Sequence, residues 1–279
     1  MTTSRAALLV EALPYIRRFR DSVVVVKFGG HAMSGGLASF AQDVVLLETV
    51  GIKPVVVHGG GPQIGEHLRK LGKETHFLDG LRVTDAETLD VARMVLVGKV
   101  NRDLVSAINV HGPIAVGLSG EDARLITASA RSAELGFVGT VDEVDATILL
   151  RLLAEGLIPV VATIGADTAG QAYNINADTV AGALAGALSA EKLVFLTDVD
   201  GVRADPADPG TLRGHLSAAE LAEMVSSGAT SGGMTPKAQA CIRALECGVR
   251  RAHVLDGRVP HALLLELFTD VGVGTMVVP

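Results

Sequence analysis

The chain has 279 residues, enough for one large α/β domain or two smaller ones; with 48% of them hydrophobic and 20% charged, composition excludes a disordered or fibrous chain. A formal net charge of −7 excludes a general attraction to nucleic acid or anionic membrane, so any phosphate has to be held at a local site. No segment reaches the ~20 uninterrupted apolar residues of a membrane span, and the opening "MTTSRAALLVEALPYIRRFR" carries Glu11 inside its apolar run and no small-residue cleavage site, so the expectation is a soluble, cytoplasmic protein without a secretory signal.

In chain order, Leu8, Leu9, Ala12, Leu13 and Ile16 form the stripe of a helix that by default packs on its own subunit. "SVVVVKFGG" predicts a buried strand, "LASFAQDVVLLETVG" a helix, "KPVVVHGGGP" a second strand and "PQIGEHLRKLG" the helix after it. A hairpin over residues 76 to 84 is a candidate lid, and "DAETLDVARMVLVGKVNRDLVSAINVHG" reads as one long helix. "GPIAVGLSG" is a strand, "ARLITASARSAELGFVGTVDEVD" a hairpin over the sheet, "DATILLRLLAEG" a helix and "LIPVVATIGAD" a strand. "NADTVAGALAGALSA" is a helix, "KLVFLTDVDGV" a strand and "VRADPADPGTLRG" a loop. This alternation predicts an α/β protein, a three-layer α/β/α sandwich with a central, mostly parallel sheet that continues across a soft boundary near residue 170.

Open α/β sheets bind ligands beyond the carboxyl ends of their strands. Four predicted strands end there in unusual chemistry: at Lys27-Phe28-Gly29-Gly30, at His58-Gly59-Gly60-Gly61-Pro62, at Gly165-Ala166-Asp167 and at Thr197-Asp198-Val199-Asp200-Gly201. A Walker loop is excluded, because Gly72-Lys73 is followed by Glu74 and Gly98-Lys99 by Val100; "GGGPQIG" is one residue too long for a dinucleotide fingerprint. Gly59, Gly60 and Gly61 leave backbone N–H groups bare at a helix start that Pro62 suits, fitting an anion or simply a tight strand-to-helix turn. "SSGATSGGMTPK" repeats the design, with Gly232 and Gly233 ahead of Pro236 and Lys237. A lysine ending a strand ordinarily snorkels into solvent, yet the apolar run before Lys27 and the glycine pair after it place its ammonium beside open backbone donors. In "YNINADTVAG" either Asn176 or Asp178 caps the following helix, which leaves the other polar side chains, Asn174 among them, for the cleft. Cys241 and Cys247, with no further zinc ligand nearby, are expected to be reduced structural thiols.

"KFGGHAM", "VHGGGPQI", "LRVTD", "YNINADTVAG" and "SGGMTPK" together resemble, in order and over almost the whole chain, the N-acetylglutamate kinases of the amino acid kinase family. The resemblance implies an amino acid kinase-like fold and an ATP-dependent kinase that phosphorylates the γ-carboxylate of N-acetyl-L-glutamate in arginine biosynthesis. It implies Lys27 and Lys237 on the transferring phosphoryl group with Asp178 orienting them, Gly29 and Gly30 as phosphate donors, and Gly60, Gly61, Arg82 and Asn174 on the acceptor. Thr197, Asp198, Asp200, Gly232 and Gly233 fall to the nucleotide, and Mg²⁺ is bound largely through the ATP phosphates, with no protein metal site. Arg82 suits a two-pronged pair with a substrate carboxylate; its bland role is a surface ion pair with Asp79 or Asp85.

The same resemblance divides the chain into an oligomerisation helix over 1–20, an acetylglutamate lobe over 21–170 and a nucleotide lobe over 171–279 that ends in an arginine-site segment. It implies L-arginine as inhibitor at Glu266 and Gly272, a homohexamer built as a trimer of dimers, and a nitrogen-signalling protein as a candidate partner. Val271 departs from the acidic residue common before that glycine, and Thr235 from the usual Ile or Val. Two rival readings are a kinase for a related acylated or carrier-linked amino acid such as aminoadipate, and a catalytically silent arginine-binding regulator; the three charged residues Lys27, Asp178 and Lys237 argue against the second.

Overall fold

The valine run of the first strand lies in the middle of the molecule. The computed structural model describes residues 2–29, 33, 35–230, 232–269 and 272–279. Its strands are β1 (Val23–Phe28), β2 (Lys53–His58), β3 (Phe77–Leu78), β4 (Leu81–Arg82), β5 (Ala115–Ser119), β6 (Ile126–Ala130) and β7 (Val138–Val144). They continue as β8 (Ile158–Ala162), β9 (Ile164–Ala166), β10 (Ala172–Ile175), β11 (Lys192–Thr197), β12 (His215–Ser217), β13 (Arg251–Asp256) and β14 (Gly274–Val278). Eight of these form the main sheet in the order β12-β14-β13-β11-β1-β2-β8-β5, parallel throughout except where β14 meets β13. The sheet is mostly parallel, as expected, and it runs unbroken through β1 and β11, so strands from both halves of the chain share one set of hydrogen bonds.

Helices cover both faces: α1 (Thr2–Phe19), α2 (Leu37–Thr49), α3 (Gly61–Lys70), α4 (Ala86–Arg93), α5 (Asn101–Asn109), α6 (Thr147–Ala154), α7 (Ala177–Ala187), α8 (Ala218–Ser226), α9 (Met234–Glu246) and α10 (Ala262–Phe268). Two buried clusters result, divided by the sheet. Val24, Val26 and Phe28 belong to one, where Phe28 stacks on Phe40 at 4.0 Å, and Val25, Val55 and Val57 belong to the other. The small residues of α7 let α9 approach closely: a Cβ on Gly182 would sit 3.1 Å from the Ala240 carbonyl, and one on Gly186 2.8 Å from Cys247 Cβ. Cys241 is buried in this cluster, which pushes its thiol up to about 12 and fits an inert structural role, whereas Cys247 is exposed.

Three features differ from expectation. "LIPVVATIGAD" divides at Thr163: β8 stays in the main sheet, while β9 joins β6, β7 and β10 in a closed four-stranded barrel. Asp167 is thereby carried away from the main sheet's ligand edge, where its terminal position had placed it, and accepts from the N–H groups of Ala169 and Gln171, each at 2.9 Å, to close its own turn. An apolar run looks the same whether it crosses one sheet or bends between two, so the break left no periodic signal. The hairpin predicted over the sheet is real as β6–β7 but forms half of that barrel. The long helix over 86–109 is continuous but widens into a π-helical stretch over Met94–Val100 between α4 and α5. In α1, Ala12 and Ile16 pack against the body while Leu13 is 42% exposed; the side chains of Leu8 and Leu9 lie outside the described residues.

Candidate active site

Strand alternation decides what Lys27 faces. Side chains on a strand point to opposite faces in turn. Because Val26 and Phe28 enter the cluster under α2, Lys27 shares the other face with Val25, the face covered by α7 and α9. Asn176 turns out to be the cap of α7: its side-chain oxygen accepts from the N–H groups of Asp178 at 2.9 Å and Thr179 at 3.1 Å. With the cap supplied by its neighbour, Asp178 is left to meet two cations.

Lys27 Nζ lies 3.0 Å from Asp178 Oδ1 and Lys237 Nζ lies 3.1 Å from Oδ2. Lys237 reaches the pair from the third residue past Met234, the first of α9, and its ammonium sits 5.1 Å above the Phe195 ring. Burial would push the Asp178 carboxyl up, but the two lysines outweigh it and hold it at about 2. Burial pushes Lys237 down, opposed by Asp178. One carboxylate thus holds two nearly buried ammonium groups in place.

These residues line a cavity of about 430 Å³ together with Gly29, Thr197, Asp198 and Gly233. Asp200 lies beside it, paired at 2.9 Å with Arg203, which is itself part of the wall. Gly232 precedes α9 with φ +54, a left-handed conformation that suits glycine, and Pro236 sits where a missing N–H costs the helix nothing. Gly30 lies outside the described residues. A Cβ on Gly29 would sit 3.1 Å from Lys27 Nζ and 3.3 Å from its Cε. We expect Gly29→Ala to displace the ammonium and lower kcat roughly tenfold with unchanged thermal stability, measured by phosphoryl-transfer kinetics beside a melting curve.

A second, open groove holds Gly61 and Arg82. Arg82 Nη2 donates to the Gly61 carbonyl at 2.8 Å and the guanidinium covers Phe77 at 4.8 Å, while Asp85 pairs instead with Lys73 at 2.7 Å. Arg82 Nη1 is buried without a hydrogen-bond partner among the described residues. Asn174 Nδ2 donates to Thr84 Oγ1 at 3.4 Å, and that hydroxyl donates to the Arg82 carbonyl at 2.7 Å, which ties the strand before α7 to the β3–β4 hairpin. Pro62 occupies the second position of α3, within the turn whose N–H groups have no helical partner.

Glu266 and Gly272 line a third cavity, with Tyr15 and Arg18 of α1, Lys192 and Arg251. Glu266 Oε1 lies 2.8 Å from His253 Nδ1, and Oε2 accepts from the Val273 N–H at 3.1 Å. Burial pushes Lys192 down to about 8, and its ammonium lies 5.0 Å from the Phe19 ring. Val271 lies outside the described residues. Lys192 and Arg203 were not singled out in the sequence; Lys192 opens an apolar strand much as Lys27 closes one, whereas Arg203 sits in a loop with no periodic signal.

The profile of the amino acid kinase family matches residues 22–256. An acetylglutamate kinase of Symbiobacterium thermophilum is 55% identical, with 98% of this chain and 97% of that protein covered. The N-acetylglutamate synthase of Neisseria gonorrhoeae, solved with coenzyme A and N-acetyl-glutamate, superposes with a TM-score of 0.86 at 30% identity over 98% of this chain, which spans only 63% of that longer one. A carbamate kinase from Giardia lamblia bound to AMP-PNP shares the fold with a TM-score of 0.67 at 15% identity, over 92% of this chain and 98% of that one. The chain belongs to the amino acid kinase family, on the branch of the acetylglutamate kinases.

Proposed function

We propose that the enzyme transfers the γ-phosphoryl group of ATP to the γ-carboxylate of N-acetyl-L-glutamate, a step of arginine biosynthesis. The observation that carries this reading is the meeting of Lys27 and Lys237, from opposite halves of the chain, on the two oxygens of Asp178 beside a glycine-lined cavity. The acceptor needs no general base, since a γ-carboxylate with a reference pKa of ~4.3 is already ionised at neutral pH. The barrier lies in bringing that anion to a triphosphate, and fixed positive charge lowers it by strengthening its hold as charge redistributes. Lys27 and Lys237 supply the charge, Gly29 and Gly30 backbone donors for the phosphoryl group, and Gly60, Gly61, Arg82 and Asn174 the acceptor site.

The nucleotide occupies the side lined by Thr197, Asp198 and Gly233, with Asp200 and Gly232 flanking it. A magnesium ion would be held largely by the ATP phosphates, whose charge it would spread, and the Thr197 hydroxyl and Asp198 carboxylate are hard oxygen donors that would suit such a largely hydrated ion. Residues 21–170 then form the acceptor lobe and 171–279 the nucleotide lobe, with the β3–β4 hairpin as the lid that carries Arg82 over the substrate. The cytoplasm is the compartment assigned; among the described residues no helix is long and apolar enough to cross a membrane.

We also place an L-arginine inhibitor site in the third cavity. A buried carboxylate at Glu266 facing Arg18, Lys192 and Arg251 supports a ligand with a cationic side chain and an α-carboxylate. The site borders α1, which suits that helix to join inhibition to assembly of a hexameric trimer of dimers, a surface a nitrogen-signalling protein could also read. Deleting residues 1–20 is expected to abolish the hexamer and weaken arginine inhibition while catalysis persists; an unchanged mass in sedimentation would remove the helix from assembly. A coupled ADP-release assay with N-acetyl-L-glutamate and with a carrier-linked aminoadipate, each with and without arginine, tests the main reading. Turnover of aminoadipate alone would overturn it.

A further inference from the structure

His58 and Asn101 are both fully buried, and the chemistry above uses neither. Asn101 directly follows the π-helical stretch. Its Nδ2 lies 2.8 Å from the Val160 carbonyl, 3.4 Å from that of Leu118 and 3.0 Å from His58 Nε2, while its Oδ1 accepts from the Arg102 guanidinium. Two carbonyls on one side and a guanidinium on the other fix which end of the amide is nitrogen. An amide nitrogen donates and does not accept, so His58 Nε2 must be the acceptor and carry no proton. A neutral ring then bears its proton on Nδ1, 3.1 Å from the Gly59 carbonyl. Burial keeps the ring neutral, pushing it down to about 4.

That carbonyl belongs to the peptide whose N–H is on Gly60. In a trans peptide the C=O and N–H point in opposite directions, so drawing the Gly59 oxygen towards the buried ring turns the Gly60 N–H the other way. The loop is also pressed from a second side: a Cβ on Gly60 would sit 2.8 Å from Leu96 Cδ2 and 3.3 Å from Val100 Cγ2, both on the π-helical stretch. We propose that Asn101 sets the tautomer of His58, and that His58, by donating from Nδ1 to the Gly59 carbonyl, is the positioning residue that aims the Gly60 N–H at the acceptor. This rests on the reading of Gly60 as an acceptor-site donor.

The test uses the full chain labelled with ¹⁵N-histidine, the His58 resonances being those lost in His58→Asn, together with kinetics of His58→Asn and His58→Gln. Asn places an amide nitrogen where Nδ1 stood and Gln places one where Nε2 stood. The expected results are a neutral ring protonated on Nδ1 at about pH 7, and a kcat/KM for N-acetyl-L-glutamate at least roughly tenfold higher in His58→Asn than in His58→Gln, with KM for ATP alike in both. A proton on Nε2, or equal losses in the two variants, overturns the proposal. Should the variants fail to fold, the tautomer of the unaltered chain decides alone, its signal assigned by proximity to Asn101. Absence of turnover on N-acetyl-L-glutamate by the unaltered chain would instead sink the functional reading, with the tautomer still readable.

Discussion

Asp178→Asn is expected to lower kcat by roughly a hundredfold to a thousandfold and to destabilise the fold by about 3–5 kcal/mol, because it leaves two nearly buried ammonium groups without their shared counter-charge. Lys27 and Lys237 sit 3.0 and 3.1 Å from the two oxygens of that carboxylate, and an amide cannot neutralise either. Lys237 is already pushed down by burial, with Asp178 holding against that push, so the variant should lose the Lys237 proton at lower pH and its activity should fall off sooner on the alkaline side. The acid side behaves oppositely. The Asp178 carboxyl is lowered from 3.8 to about 2 on folding, so its stabilisation is complete above about pH 4 and is lost as the pH falls towards 2. In Asp178→Asn that part of the acid dependence should vanish. Urea midpoints across pH, read beside a pH–rate profile, check both limbs, and a variant with unaltered midpoint and kcat would remove Asp178 from the site.

Lys27→Ala should reduce kcat by about a thousandfold while KM for ATP changes only a few-fold, the signature of an interaction made mainly in the transition state. The fold should survive, since Asp178 keeps Lys237 as a partner at 3.1 Å. Lys27→Arg should not rescue activity: a planar guanidinium fork cannot place its charge where the compact ammonium stands 3.0 Å from Asp178 Oδ1. Removing Lys27 and Asp178 together should cost much less than the sum of the single losses, because the two act as one unit. Phosphoryl transfer left intact in Lys27→Ala would overturn the mechanism.

Much of this architecture was legible before any coordinates. The β-branched run before Lys27, the Gly-rich turns after β1 and β2 and the spacing of apolar residues in the helices report local physics, and local physics is what periodicity measures. The same holds for Asn174, Asn176 and Asp178, where only the choice of cap stayed open and the hydrogen bonds to the Asp178 and Thr179 N–H groups decided it for Asn176. The closed barrel was not legible. Its strands β6, β7, β9 and β10 are short, and closure depends on partners distant in sequence, such as Thr127 beside Ala166. Lys192 was overlooked for the same reason: what makes it unusual is the Phe19 ring of a helix that ends 173 positions earlier in the chain.

By itself the sequence determined that an apolar strand would end in Lys27 and two glycines, that a second lysine would stand on another glycine-rich turn, and which family motifs frame both. It could not determine that the two ammonium groups share one carboxylate. That was decided when alternation turned Lys27 to the face beneath α7 and α9, and when small residues such as Gly182 let those helices pack closely at Ala240, where an added Cβ would crowd the carbonyl. The His58 tautomer is of the same kind, fixed only when Asn101, forty-three residues on, brings its amide nitrogen to the ring. Side-chain type and spacing are properties of the chain, whereas the counter-charge beside a lysine and the acceptor beside a donor exist only once distant segments are packed together.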